Sequence, residues 1–125
     1  GYMSSLAITK GADVFKLAVA VAPVTNWRYY DNIYTERYMQ TPQENEKGYD
    51  ENSPINHVDK LKGKYLLIHG TADDNVHVQN TYEMTSALVR ANKQFDLFVY
   101  PDKNHGIYSR FHLYTKITSF IEDNL

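Results

Sequence analysis

The sequence predicts an α/β fold with about three parallel strands and flanking helices. Three features carry that expectation. Short apolar runs of strand length recur at 17–22 (LAVAVA), 65–69 (YLLIH) and 95–100 (FDLFVY). The second and third runs each lead into a polar loop, and each loop leads into apolar residues at helical spacing. Strand, loop and helix in alternation are the mark of βαβ units on a parallel sheet.

Taken in order, residues 2–10 (YMSSLAITK) are helix-compatible and end at Gly11, a suitable cap residue. LAVAVA is apolar throughout and closed by Pro23, as suits a strand buried on both faces. From Pro23 to Lys62 aromatic and polar residues mix with frequent turn signals. DNIYTERYM (31–39) is compatible with one short helix. SPINHVDKL (53–61) is compatible with another, with Ser53 as N-cap and Pro54 as first helical residue. Between them TPQENEKGYDEN (41–52) is acidic and turn-like and reads as a solvated surface loop. After the second strand and its loop GTADDN, the spacing of Val78, Tyr82, Thr85, Leu88 and Val89 predicts an amphipathic helix over 77–92. After the third strand and PDKNHG, the residues Phe111, Tyr114, Ile117 and Ile121 predict a final helix. Core packing is the expected role of its stripe.

Composition narrows the function classes. The 125 residues are 42% hydrophobic and 22% charged, ordinary for one globular unit with one core. A net charge of -2 gives no basic stripe, which argues against a nucleic-acid partner. No apolar run approaches the roughly 20 residues that a membrane-crossing helix needs. Without cysteine there is no disulfide and no thiolate metal site in the chain. Gly1 and Tyr2 run straight into a helical pattern, so the chain reads as a piece of something longer. A three-stranded parallel sheet leaves two open edges, one of them central in a larger sheet, and such a piece is expected to self-associate or fold poorly alone.

In open α/β sheets ligands gather at the carboxyl ends of the strands. Two loops leave such ends with titratable groups: GTADDN with Asp73 and Asp74, and PDKNHG with His105. Adjacent strands lie about 5 Å apart, so an acid in one loop can reach an imidazole in the next. There it would fix the tautomer and stabilise the imidazolium. Taken singly, an Asp pair before a helix has a plainer reading as a cap, and His105 as a turn residue; the joint placement favours chemistry. His69, at a strand end, reads as structural, His77 as part of the first turn of its helix, and His57 and His112 as surface residues. The histidines form no i, i+4 pair of the HExxH kind, so no metal is expected. The order Asp then His, each after a strand, is the second half of the Ser, Asp, His order of α/β-hydrolases.

The stretches AVAVAPVTNWRYYDNIYTERYM, YLLIHGTADDNVH and NHGI closely resemble the catalytic domain of the prolyl oligopeptidase family, in its dipeptidyl-peptidase IV branch. The resemblance runs over nearly the whole chain and is weakest at 40–62. It implies the C-terminal part of an α/β-hydrolase domain over residues 1–125, cut just after the nucleophile. Under it, Asp73 is the triad acid, His105 the base and Asp74 a structural neighbour. GYMSS matches the tail of a G-W-S-Y-G-G-Y motif, with the serine just ahead of Gly1. Ser4 and Ser5 fall inside the helix, past the turn that would expose a nucleophile. Val24, Trp27, Tyr30, Tyr34 and Val76 match the lining of a slot for proline, and Asn75 a residue whose amide donates to a substrate carbonyl. Without the resemblance, the tyrosines read as plain aromatic core.

The resemblance therefore implies a serine exopeptidase that releases N-terminal dipeptides after proline, with no cofactor. Its partners would be a peptide substrate, the rest of its own catalytic domain and a β-propeller. An extracytoplasmic setting is expected, and Phe111 to Leu125 is a candidate dimer surface. The isolated chain is expected to be inactive. The alternatives are an acylaminoacyl-peptidase, an oligopeptidase or an esterase on the same scaffold, or a non-catalytic binding paralogue.

Overall fold

The computed structural model describes residues 1–125, the side chain of Ile33 excepted. Helix α1 spans Tyr2–Lys10, strand β1 Leu17–Val21, helix α2 Asn32–Met39 and helix α3 Glu46–Glu51. Strand β2 spans Lys64–Gly70, helix α4 Gln79–Arg90, strand β3 Asp96–Tyr100 and helix α5 Arg110–Asn124. Two 3-10 segments, Trp27–Tyr29 and Pro54–Lys60, lie in the long connection from β1 to β2.

The three strands form a parallel sheet, as the strand–helix alternation predicts, and their order is β1-β2-β3. Val19 pairs with Leu66 and Leu67 with Leu97. In β2 the side chains alternate between faces. Tyr65 and Leu67 meet Ile8 of α1, Ala18 and Ala20 of β1, and Met84 and Leu88 of α4. Leu66 and Ile68 meet Tyr100, Ile107, and Leu113 and Phe120 of α5. β2 is therefore central and buried on both sides, which is why its sequence is apolar without alternation. Full burial of each such leucine or isoleucine contributes about 1.5–3 kcal/mol.

Several expectations need correction. The acidic stretch 41–52 is not loop throughout: Asn45 caps α3 by accepting the Gly48 N–H, and Tyr49 sits in the interior. Inside α4 the buried side chains are Asn80, Thr81, Met84, Ala87 and Leu88, while Tyr82 and Val89 are exposed. Inside α5 they are Leu113 and Phe120, while Phe111 and Tyr114 face outward. His57 is buried, with Nε2 bonded to the Glu51 carbonyl and Nδ1 accepting from Lys60. Ser53 stands at the N-cap position, yet its hydroxyl accepts the Trp27 N–H instead of capping.

Candidate active site

Asp73 lies in the loop leaving the carboxyl end of β2. Its side chain is wholly shielded from solvent, and its hydrogen bonds order the loop around it. Oδ1 accepts the backbone N–H groups of Asn75 at 2.9 Å and Val76 at 2.8 Å. A buried carboxylate needs such donors, because an unpaired charge in the interior is costly. Oδ2 is thereby aimed at the neighbouring loop, where Nδ1 of His105 donates to it at 2.8 Å. The His105 side chain is 44% exposed, so one ring nitrogen is engaged and Nε2 is open. His69 Nε2 lies 3.2 Å from the same carboxylate oxygen.

The two loops meet because they are stitched together. Thr71 N–H donates to the Tyr100 carbonyl, Ala72 N–H to the Lys103 carbonyl, and Asp102 N–H to the Thr71 hydroxyl. Gly70 permits this approach: a Cβ there would stand 2.2 Å from the Lys103 carbonyl oxygen. On the far side of His105, Ile107 anchors the loop. It is fully buried and held at φ 42, a left-handed backbone that a β-branched residue adopts only under constraint. Its place in the core under α5 supplies that constraint.

The aromatic residues form a ladder of edge-on contacts. Tyr2 meets Trp27 at 4.8 Å between ring centroids, Trp27 meets Tyr30 at 5.8 Å, and Tyr30 meets Tyr34 at 5.5 Å. Tyr30 Oη donates to Asn75 Oδ1 at 2.9 Å, which leaves Asn75 Nδ2 as the free donor. Burial first, then the neighbouring Tyr34, Asp31 and Asp73, raises the Tyr30 pKa and keeps that proton in place. Tyr30, Tyr34 and Asn75 line an open cleft of about 850 Å³, along with Arg37, Asp74 and His77. Val24 and Val76 are buried and, like Trp27, lie outside its lining. The segment carrying Val24 and Trp27 is tied to α4: Asn80 Oδ1 accepts the Thr25 N–H, and the Thr25 hydroxyl donates to the Asn80 carbonyl.

Ser5 is in the core, accepting from Tyr65 Oη at 2.6 Å, so it offers no exposed hydroxyl. Three contributors escaped the sequence reading: Tyr2 behind Trp27, Asn80 behind Thr25, and Arg37 in the cleft. Only the position of Asn80 carried a signal, as a polar residue at a helix start.

A parallel sheet with a buried carboxylate on one strand-end loop, bonded to a half-exposed imidazole on the next, has the arrangement that the acid and base of an α/β-hydrolase require. Comparison with known proteins sharpens that class. The model of the prolyl oligopeptidase family matches residues 1–125. Prolyl endopeptidase FAP of Bos taurus is 46% identical over 98% of this chain and 17% of its own length. Dipeptidyl peptidase 4 of Felis catus is 45% identical over the same shares. The crystal structure of Porphyromonas gingivalis dipeptidyl peptidase 4 superposes with a TM-score of 0.96 at 49% identity, over 99% of this chain and 18% of that one. The chain belongs to the prolyl oligopeptidase family, in its dipeptidyl-peptidase IV-like branch. It spans about one sixth of the length of the curated relatives it matches.

Proposed function

We propose that residues 1–125 are the acid–base part of a serine exopeptidase that removes N-terminal dipeptides, preferably after proline. One observation carries the reading: His105 Nδ1 lies 2.8 Å from the shielded Asp73 carboxylate while Nε2 is open. The nucleophile belongs to the turn that leads into α1, ahead of Gly1. His105 Nε2 takes the proton from that serine as its oxygen adds to the substrate carbonyl. The imidazolium then gives this proton to the leaving amine as the peptide bond breaks, and the acyl-enzyme is hydrolysed by water activated through the same nitrogen. Asp73 stays ionised throughout and holds the ring.

Tyr30 and Tyr34 of the cleft are assigned to the walls of the proline slot, and the family resemblance adds Trp27, Val24 and Val76, which lie outside the cleft lining. A pyrrolidine ring packs on aromatic walls and presents no N–H that needs a partner. Asn75 Nδ2 is assigned to the substrate carbonyl. In the whole protein a β-propeller completes the substrate site, and an extracytoplasmic setting suits the family. Pairing with a second copy uses the outward stripe of α5, where Phe111 is 89% and Tyr114 58% exposed.

The relative named a prolyl endopeptidase supports a second reading, cleavage after proline inside a peptide. A panel on the complete protein separates the two. A glycyl-prolyl reporter with a free amino terminus is expected to turn over, and the N-blocked reporter is the substrate that an endopeptidase would also accept. Asp73→Asn is expected to lower kcat by about 10⁴-fold, the scale for losing the triad carboxylate. Residues 1–125 alone are expected to show no turnover; activity there would require another nucleophile and would refute the assignment.

A further inference from the structure

His69, the penultimate residue of β2, lies on the α4 side of the sheet, with none of its side chain exposed. Its Nε2 stands 2.7 Å from the Val76 carbonyl oxygen and 3.2 Å from Asp73 Oδ2. Both are acceptors, so this nitrogen carries the hydrogen. Nδ1 is then the acceptor, and the Thr81 hydroxyl donates to it at 2.7 Å. Burial lowers the pKa of the ring against the opposing pull of the Val76 carbonyl and Asp73, which keeps it neutral. Asp73 and His105 are the titratable groups whose charges act on it.

The consequence lies in the loop between these groups. Val76 is held at both of its backbone groups, its N–H by Asp73 Oδ1 at 2.8 Å and its carbonyl by His69 at 2.7 Å. The N–H of Asn75 goes to the same Oδ1. We infer that His69 is a positioning residue that binds the carboxylate behind His105 and the Asn75–Val76 backbone, which carries the cleft-lining Asn75, into one hydrogen-bonded block. The inference rests on the serine-peptidase reading and extends it: acid and substrate wall keep their spacing because one buried imidazole touches both. It also has an electrostatic side. A donor beside Oδ2 shares the charge of the carboxylate, so less of it acts on His105. Removing that donor raises the proton affinity of His105.

The test uses the complete protein with four substitutions, His69→Phe, His69→Gln, His69→Asn and Thr81→Val, each checked by thermal melting. Glutamine carries an N–H near the position of Nε2, and asparagine carries one near that of Nδ1. His69→Phe and His69→Asn are expected to lower kcat/KM on a glycyl-prolyl reporter by about 10–100-fold, the scale of a small misplacement. Both are expected to move the acidic limb of the kcat/KM profile to higher pH. His69→Gln restores most of the rate and most of the limb. Thr81→Val keeps the imidazole but frees its tautomer, and shifts the limb less in the same direction. Equal behaviour of the glutamine and phenylalanine variants, or an unmoved limb throughout, overturns the inference and leaves His69 as packing alone. If the His69 variants fail to fold, Thr81→Val decides on the same criterion. An unsubstituted protein that cleaves no prolyl reporter refutes the peptidase reading instead. The His105 imidazole pKa, followed by NMR with and without Thr81→Val, then still tests the block: a raised value supports it and an unchanged one overturns it.

Discussion

Gly70 illustrates how one missing side chain sets a site at a distance. Asp73 and His105 are far apart in sequence, and their contact depends on the 101–106 loop lying across the end of β2. Lys103 lies against that strand end, its carbonyl accepting the Ala72 N–H at 3.0 Å. A methyl group at position 70 would sit 2.2 Å from that same carbonyl oxygen, a separation that real Cβ atoms do not show. The obstacle is backbone, so it cannot swing aside as a long side chain would. Gly70→Ala is therefore expected to push the His105 loop outward while leaving the sheet pairing of β2 intact. Under the proposed function, the expected outcome in the complete protein is a loss of about 10²-fold in kcat with a smaller change in KM, the scale for displacing a reacting group by an ångström. Steady-state kinetics beside a circular dichroism spectrum checks both halves.

At the level of elements, the connection from β1 to β2 is held from behind by two pieces. Trp27 N–H donates to the Ser53 hydroxyl and the Trp27 ring rests on Tyr2, whose own Oη donates to the Asn52 carbonyl. Asn80, in the first turn of α4, accepts the Thr25 N–H at 3.0 Å and donates to the His77 carbonyl at 3.1 Å. Asn80→Ala leaves the buried Thr25 N–H without a partner, which is expected to cost about 1–3 kcal/mol; a denaturant midpoint measures it. KM for prolyl reporters is expected to rise more than kcat falls, because Trp27 moves and His105 does not. The same residues show what was legible in the sequence. β1, β2 and β3 and their parallel pairing follow from apolar runs and loop spacing, and the meeting of Asp73 with His105 follows from their places after strands. The buried faces of α4 and α5 are legible only in part: Leu88 and Ile117 pack inward as the spacing predicts, and their stripe partners Tyr82, Val89, Phe111 and Tyr114 do not. α4 turns Asn80 and Thr81 inward, each with a dedicated partner, and leaves Tyr82 and Val89 outside. A hydrophobicity pattern places such a helix only approximately, because it counts polarity and cannot see partners. α3 was missed for a related reason: its stability comes from the Asn45 cap and from Tyr49, whose Oη donates to the Gln40 carbonyl, with Arg28 stacked on its ring.

For the whole molecule, the decisive feature is a sheet with two open edges. Among the described residues β1 pairs only with β2 on one side, and β3 only with β2 on the other. Strands exposed in this way offer unpaired N–H and C=O groups to any other extended chain. The two edges differ in what flanks them. β1 is strongly apolar, with Leu17, Val19 and Val21 packed on the α5 side and Ala18 and Ala20 on the other, as expected of a strand with neighbours on both sides. β3 begins with exposed Asp96 and Leu97, the pattern of a strand that tolerates solvent. Outward apolar residues on α1 and α5 add to the exposed surface, with Met3 at 68% and Phe111 at 89%. Residues 1–125 by themselves are therefore expected to self-associate at micromolar concentration, and under the proposed function the complete protein is expected to do so less. Light scattering on the two proteins at matched concentration reads the difference. Charge at the two edges then separates the causes. Val19→Lys places a charge on β1 and is expected to reduce association of the short chain, whereas Leu97→Lys on β3 is expected to change it little. Equal effects of the two substitutions would mean that the helix surfaces, not the open β1 edge, drive association.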